Sequence, residues 1–134
     1  MSYSDERQSI ETYFKQKWGN TTTILFENTK QKPPKTVPFV RFTIIEGVGN
    51  QISIGPTQLH RNEGQVQVQV IVPKGKGNGE ARELADMVVS AFRVKQLNTI
   101  QFRVPYLVNS GEFDEYFQIN VICPFYRNEI YTLP

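Results

Sequence analysis

A chain of 134 residues, 39% apolar with nine phenylalanines, six tyrosines and one tryptophan, has the length of one ordinary domain and enough large side chains for one core, which argues against wholesale disorder. Fifteen Lys and Arg against thirteen Asp and Glu leave a formal charge of +2, too even for the dense basic footprint of a dedicated DNA binder. One histidine and one cysteine exclude an internal disulfide, a His-based metal cluster and a nucleophile that needs a second histidine.

The amino terminus, "MSYSDERQSIETYFKQKW", carries charges where a signal peptide needs an apolar run, and no window approaches a membrane span, so neither export nor insertion is expected. From Ser4 to Trp18, Ile10, Phe14 and Trp18 recur at helical spacing with Tyr13 beside them, and Ser4, Asp5 and Glu6 make a helix start that Gly19 and Asn20 end. This predicts an amphipathic helix with an aromatic core face. "TTTILFEN", Thr21 to Asn28, reads as a strand from its β-branched residues. In "TKQKPPKTVP" three prolines break regular pairing, while Lys30, Lys32 and Lys35 keep the segment solvated as an exposed loop.

"FVRFTIIEG" returns as a strand, and "VGNQISIGPTQLHRNEG" predicts a weak hairpin around Gln51 to Ile54 with mobile flanks. The next stretch, "GQVQVQVIVP", alternates so strictly that Gln65, Gln67 and Gln69 share one side of a strand and Val66, Val68 and Val70 the other. "KGKGNG" is a flexible connection to a second helix, Glu80 to Arg93, with Asn78 as a cap and Ala81, Leu84, Ala85, Val88 and Phe92 on one stripe. "NTIQFRVPYLV" is a strand interrupted by Pro105, and "NSGEFDE" a turn. The last strand, "YFQINVICPF", puts Phe117, Ile119, Val121, Cys123 and Phe125 on one face and Gln118 and Asn120 on the other. "VIVP" and "VICP" end their strands alike, as fits two strands with one side on helices and the other turned away.

The candidates for chemistry are poor. His60, in "QLHRNEG" beside Arg61, reads as a solvated loop residue. Cys123 sits in an apolar strand, which raises a thiol pKa and disfavours a nucleophile. "GKGNGEARE" has glycines before a helix, but Glu80 stands where the dinucleotide pattern needs glycine and the Walker spacing is missing. Glu112, Asp114 and Glu115 share a turn with no apolar shell to shift them toward acid–base work. Neither a catalytic residue nor a metal or cofactor site is expected. The lysines of the proline loop, with Lys74 and Lys76, make two basic loops suited to nonspecific phosphate contact or an acidic partner. The glutamine face is either plain water-exposed sheet or a surface where other subunits dock through amides that both donate and accept.

Taken together, "IETYFKQKW", "PFVRFTII", "RNEGQVQVQVIVPKGKGNGEARELADMVVSAFR" and "YFQINVICPF" resemble the tail terminator proteins of long-tailed, lambda-like bacteriophages. The shared order is a basic residue and glycine before an alternating strand, a "VP" with glycines, then a helix with "ARELAD" and a late phenylalanine. Here these are Arg61, Gly64, Val72, Pro73, Gly75, Gly77, Ala81, Leu84, Ala85, Asp86 and Phe92.

With the elements above, the resemblance implies an α+β fold: a single domain over residues 1–134, its mixed or mostly antiparallel sheet carrying two main helices on one face. It further implies a non-enzymatic virion protein, assembled in the host cytoplasm as a ring, commonly a hexamer, that caps the tail tube, stops its polymerisation and meets the head-tail connector or head-closure protein at the head-proximal end of the tail. The expected partners are other copies of the chain, the tube protein and the connector, with nonspecific passage of DNA through the ring and no membrane. The physical reading places candidate contacts at Gln65, Gln67, Gln69, Lys30, Lys32, Lys35, His60, Arg61, Lys74 and Lys76. Rival readings are another neck protein, of head-closure or tail-completion type, and a small nucleic-acid-binding module.

Overall fold

A computed structural model describes residues 2–34, 36–75, 79–113 and 115–133. In chain order they form helix α1 (Tyr3–Trp18), strands β1 (Thr23–Phe26), β2 (Phe39–Gln51) and β3 (Thr57–Pro73), helix α2 (Gly79–Phe92), and strands β4 (Gln96–Leu97), β5 (Ile100–Phe102), β6 (Tyr106–Phe113) and β7 (Tyr116–Thr132). The sheet runs β1-β2-β3-β7-β5-β4, with β6 also paired to β7. Only β1 and β2 are parallel; every other pair is antiparallel. The fold is therefore α+β with a mixed, mostly antiparallel sheet.

α1 begins two residues earlier than its charges suggest. Ser2, not Ser4, is the cap: its hydroxyl accepts from the Asp5 N–H while the Asp5 carboxylate accepts from the Ser2 N–H, satisfying two donors that a helix start leaves open. Gly19, at φ 58°, ends it. Every fourth residue from Glu6 faces inward, so Glu6, Ile10, Phe14 and Trp18 form the buried stripe; each large apolar side chain buried there stabilises by about 1.5–3 kcal/mol.

The core lies between the two helices and one side of the sheet. Phe14 stacks on Trp18, Phe42 and Phe92 with ring centroids 5.3, 4.9 and 5.8 Å apart, and the run continues through Phe102 to Phe125. Val66, Val68 and Val70 of β3 and Ile119, Val121 and Cys123 of β7 close it from below, and α2 adds Ala81, Leu84, Ala85, Val88 and Phe92. Alternation along β3 and β7 thus assigns their faces as the sequence predicts. The expected cap Asn78 lies outside the described residues.

Two local expectations change, and the expected break at Pro105 is found. The weak hairpin at Gln51 to Ile54 is instead the tip of a long one, because β2 and β3 stay paired out to Gln51 and His60 through one irregularity between Glu46 and Gly49. Cross-strand bonding to β7, which continues to the Thr57–Thr132 pair, stabilises this arm where its own glycines would not. Pro105, lacking an N–H, separates β5 from β6, and both segments pair with β7. "NSGEFDE" is mostly strand: β6 runs through it to Phe113, with a register shift between Asn109 and Gly111 that leaves Ser110 without a cross-strand partner in the register.

Candidate functional site

The sheet has one face under the helices and one without them, and the second gathers most of the candidate residues. Register puts Arg41, Thr43 and Ile45 of β2 beside Gln69, Gln67 and Gln65 of β3, and these beside Asn120, Ile122 and Pro124 of β7. The glutamines are half-buried, yet among the described residues their side-chain amides make no hydrogen bond. Their neighbours do: Gln118 donates to Asn120 at 2.9 Å, and Asn120 donates to the Ser110 hydroxyl at 3.1 Å. Donors and acceptors on the three glutamines are therefore available to another molecule.

Both ends of this face are built up. At one, Leu25, Phe39, Ile71 and Tyr116 form a separate apolar cluster that no periodicity argument predicts, since it lies on the polar side of the strands. The proline loop lies over it: the Tyr116 hydroxyl donates to the Pro34 carbonyl at 3.3 Å, and Pro33 lines a depression with Phe39, Arg41, Gln69 and Tyr116. Lys30 and Lys32 are exposed on that loop; Lys35 is outside the described residues. At the other end, Arg61 and Arg103 both lie over the Tyr126 ring, 4.4 and 5.0 Å from its centroid. Arg61 donates to Asn128 at 2.9 Å, and Arg103 pairs with Glu63 at 3.4 Å.

The other candidates are not part of this face. His60 is one residue from Arg61 and so points to the opposite side, where its ring stacks on Tyr131 at 5.6 Å and Nε2 is 2.9 Å from the Gln58 amide oxygen. Lys74 also leaves on the helix side and pairs with Glu112 at 3.3 Å; Lys76 is outside the described residues. The two basic loops are therefore not one patch. Of the turn carboxylates, Glu112 is engaged by Lys74 and Asp114 is outside the described residues. Burial pushes the Cys123 thiol far up, beyond the range of a useful nucleophile. Among the described residues no group of three or more His, Cys, Asp or Glu is placed to hold a metal, and no helix is long and apolar enough to cross a membrane.

A charged cluster lies under the arm, outside what side-chain periodicity reveals. Glu6 and Arg127 are both buried, with Arg127 Nε donating to Glu6 at 3.1 Å and Nη1 to Glu129 at 3.1 Å. The guanidinium lies over Tyr3, whose hydroxyl donates to Asn62. Burial raises the Glu6 pKa, and Arg127 offsets only part of that rise. The cluster clamps the start of α1 to the root of the arm. A sequence signal existed: Glu6 stands four residues before Ile10 on the inward stripe.

The arm and the sheet edges are the other open surfaces. Val48, Ile52, Ile54, Ile130 and Leu133 are exposed at the arm, Ile54 at 94%. Beyond Phe42, where pairing with β1 stops, the outer side of β2 is bare apart from Ile44, whose N–H donates to the Glu27 carboxylate at 2.8 Å. β6 presents a second bare edge with Tyr106, Leu107 and Val108 exposed. Unpaired strand edges and grouped apolar side chains are surfaces for association.

By fold the described residues make a two-helix, seven-strand α+β domain, and among them one face of the sheet and both its margins are left open. The chain belongs to the phage tail terminator family, whose profile matches residues 7–124, and it is accordingly a structural component of a phage tail. Among solved structures, one protein is similar over 93% of this chain and 96% of its own, at 20% identity and a TM-score of 0.64; at that identity the likeness concerns the fold alone. No curated protein matches the chain in sequence.

Proposed function

We propose that the chain acts without catalysis, as one unit over its whole length, by assembling head to tail into a closed ring of six copies. The ring caps the tail tube, stops its polymerisation and offers its other side to the head-tail connector. The observation that carries this reading is the family match combined with two unlike bare edges. The free stretch of β2 and the whole of β6 are each about 25–30 Å long at about 3.3 Å per residue. An interface joining two different surfaces on each copy closes into a ring when the rotation permits.

Apolar side chains at the arm tip add the water-excluding contact that such an interface needs. The loop with Lys30 and Lys32 then reaches a neighbouring ring, and the assembled particle holds the protein at the head-proximal end of the tail. Native mass measured across a concentration series tests the reading, first alone and then with purified tail tubes, followed by imaging of any oligomer. A six-membered closed ring in either condition supports it. A monomer in both, with tube length unaffected by added protein, refutes it.

A further inference from the structure

The formal charge of the chain is unevenly distributed about the sheet. Side chains that leave the strands on the uncovered face include Arg41, Arg61 and Arg103 and one carboxylate, Glu63. Among the described residues whose side chains leave the strands on this face, arginines therefore outnumber carboxylates three to one. Arg41 has no carboxylate partner among the described residues and lies over Phe39 at 5.9 Å. Arg61 and Arg103 are held over one ring, which fixes their planes with less entropy left to lose on binding. Arg41 lies opposite Gln69, eight residues from Arg61 along β3, so the two ends of the positive field are about 27 Å apart. Between them run Gln65, Gln67 and Gln69, with Asn120 alongside.

We propose that this face contacts the phosphate backbone of duplex DNA, sequence-independently, through Arg41, Arg61 and Arg103, with the glutamine row supplying amide donors between them. Guanidinium groups and side-chain amides are among the donors that phosphate oxygens accept from. An extended polar strip with charge at both ends matches a long, regularly charged polyanion better than it matches a compact protein patch, which needs a central apolar anchor. The contact is a property of the single subunit. The choice of duplex DNA among polyanions rests on the tail reading above, whose ring geometry is tested separately by native mass.

The test is fluorescence anisotropy of a labelled mixed-sequence duplex with the whole chain from low to high salt, at protein concentrations up to about 1 mM, since nonspecific affinities fall near 1–100 μM at physiological salt. Three phosphate contacts give a slope of log affinity on log salt of about −2.7, or about a forty-fold loss between 50 and 200 mM. Each of R41Q, R61Q and R103Q is expected to reduce the slope by about one unit, and the triple variant to abolish binding. Gln67→Glu, which places a carboxylate mid-strip, is expected to weaken it, whereas K17Q, in the last turn of α1 on the other side of the sheet, leaves it unchanged. Thermal unfolding of each variant checks the fold.

Absence of salt-dependent binding at the highest concentration overturns the proposal. So does binding that survives the triple arginine variant or disappears in K17Q. If the arginine variants spare DNA binding but alter self-association, the face belongs to a second copy instead. Equal binding of polyglutamate and DNA, through the same arginines, replaces DNA with an acidic polypeptide.

Discussion

Arg127→Met removes the cationic half of the clamp beneath the arm. The Glu6 side chain is 2% exposed, so the carboxylate is left without its compensating charge in a site water does not reach. Breaking a buried pair from one side costs about 3–5 kcal/mol, whereas a typical domain has only about 5–15 kcal/mol in total. For a chain of this size the melting temperature should fall by about 10 °C or more. The sign of the pH dependence distinguishes this cause from lost packing. Burial raises the Glu6 pKa even with Arg127 in place, and without the arginine it rises further. A carboxyl group with a raised folded pKa destabilises as pH increases above its unfolded value, and that penalty disappears when it is protonated. The deficit of R127M relative to the natural chain is therefore largest near pH 7 and narrows as pH falls toward 4.5. Adding Glu6→Gln to R127M removes the buried charge and recovers part of the loss at pH 7. Chemical denaturation at several pH values provides the measurement. A loss below about 1 kcal/mol at pH 7, or a deficit that stays constant with pH, would refute the reasoning.

Two further outcomes test other parts of the structure. Ile54→Asp, at a position 94% exposed, should leave stability within about 0.5 kcal/mol while lowering the mass of any ring; an unchanged ring would remove the arm tip from the interface. Cys123 is buried with its thiol pKa raised, so a thiol reagent should modify it only at the rate of unfolding, and rapid modification of the native protein would contradict the packing between β7 and the helices.

How much was legible depends on how local the cause is. The valine and glutamine faces of β3, the inward aromatic stripe of α1 and the apolar face of β7 follow from strand and helix periods alone. The arm did not, because its length comes from β7 pairing with β3 out to Thr132, a partner more than sixty residues away. The basic loops were read together because they share lysines, but Lys74 is turned to the helix side and engaged by Glu112. The arginines that share the glutamine face, Arg41, Arg61 and Arg103, are scattered through the chain and adjoin only once strand order is known.

By itself, then, the sequence determined which side of β3 and of β7 is apolar, where the helices form and what family the order of motifs resembles, since each depends on neighbours a few residues apart. Strand order, the buried Glu6–Arg127 pair, the Arg61–Tyr126–Arg103 stack and the bare edges were decided by the tertiary structure. Each requires two segments distant in the chain to meet, and side-chain period carries no information about which segment that will be.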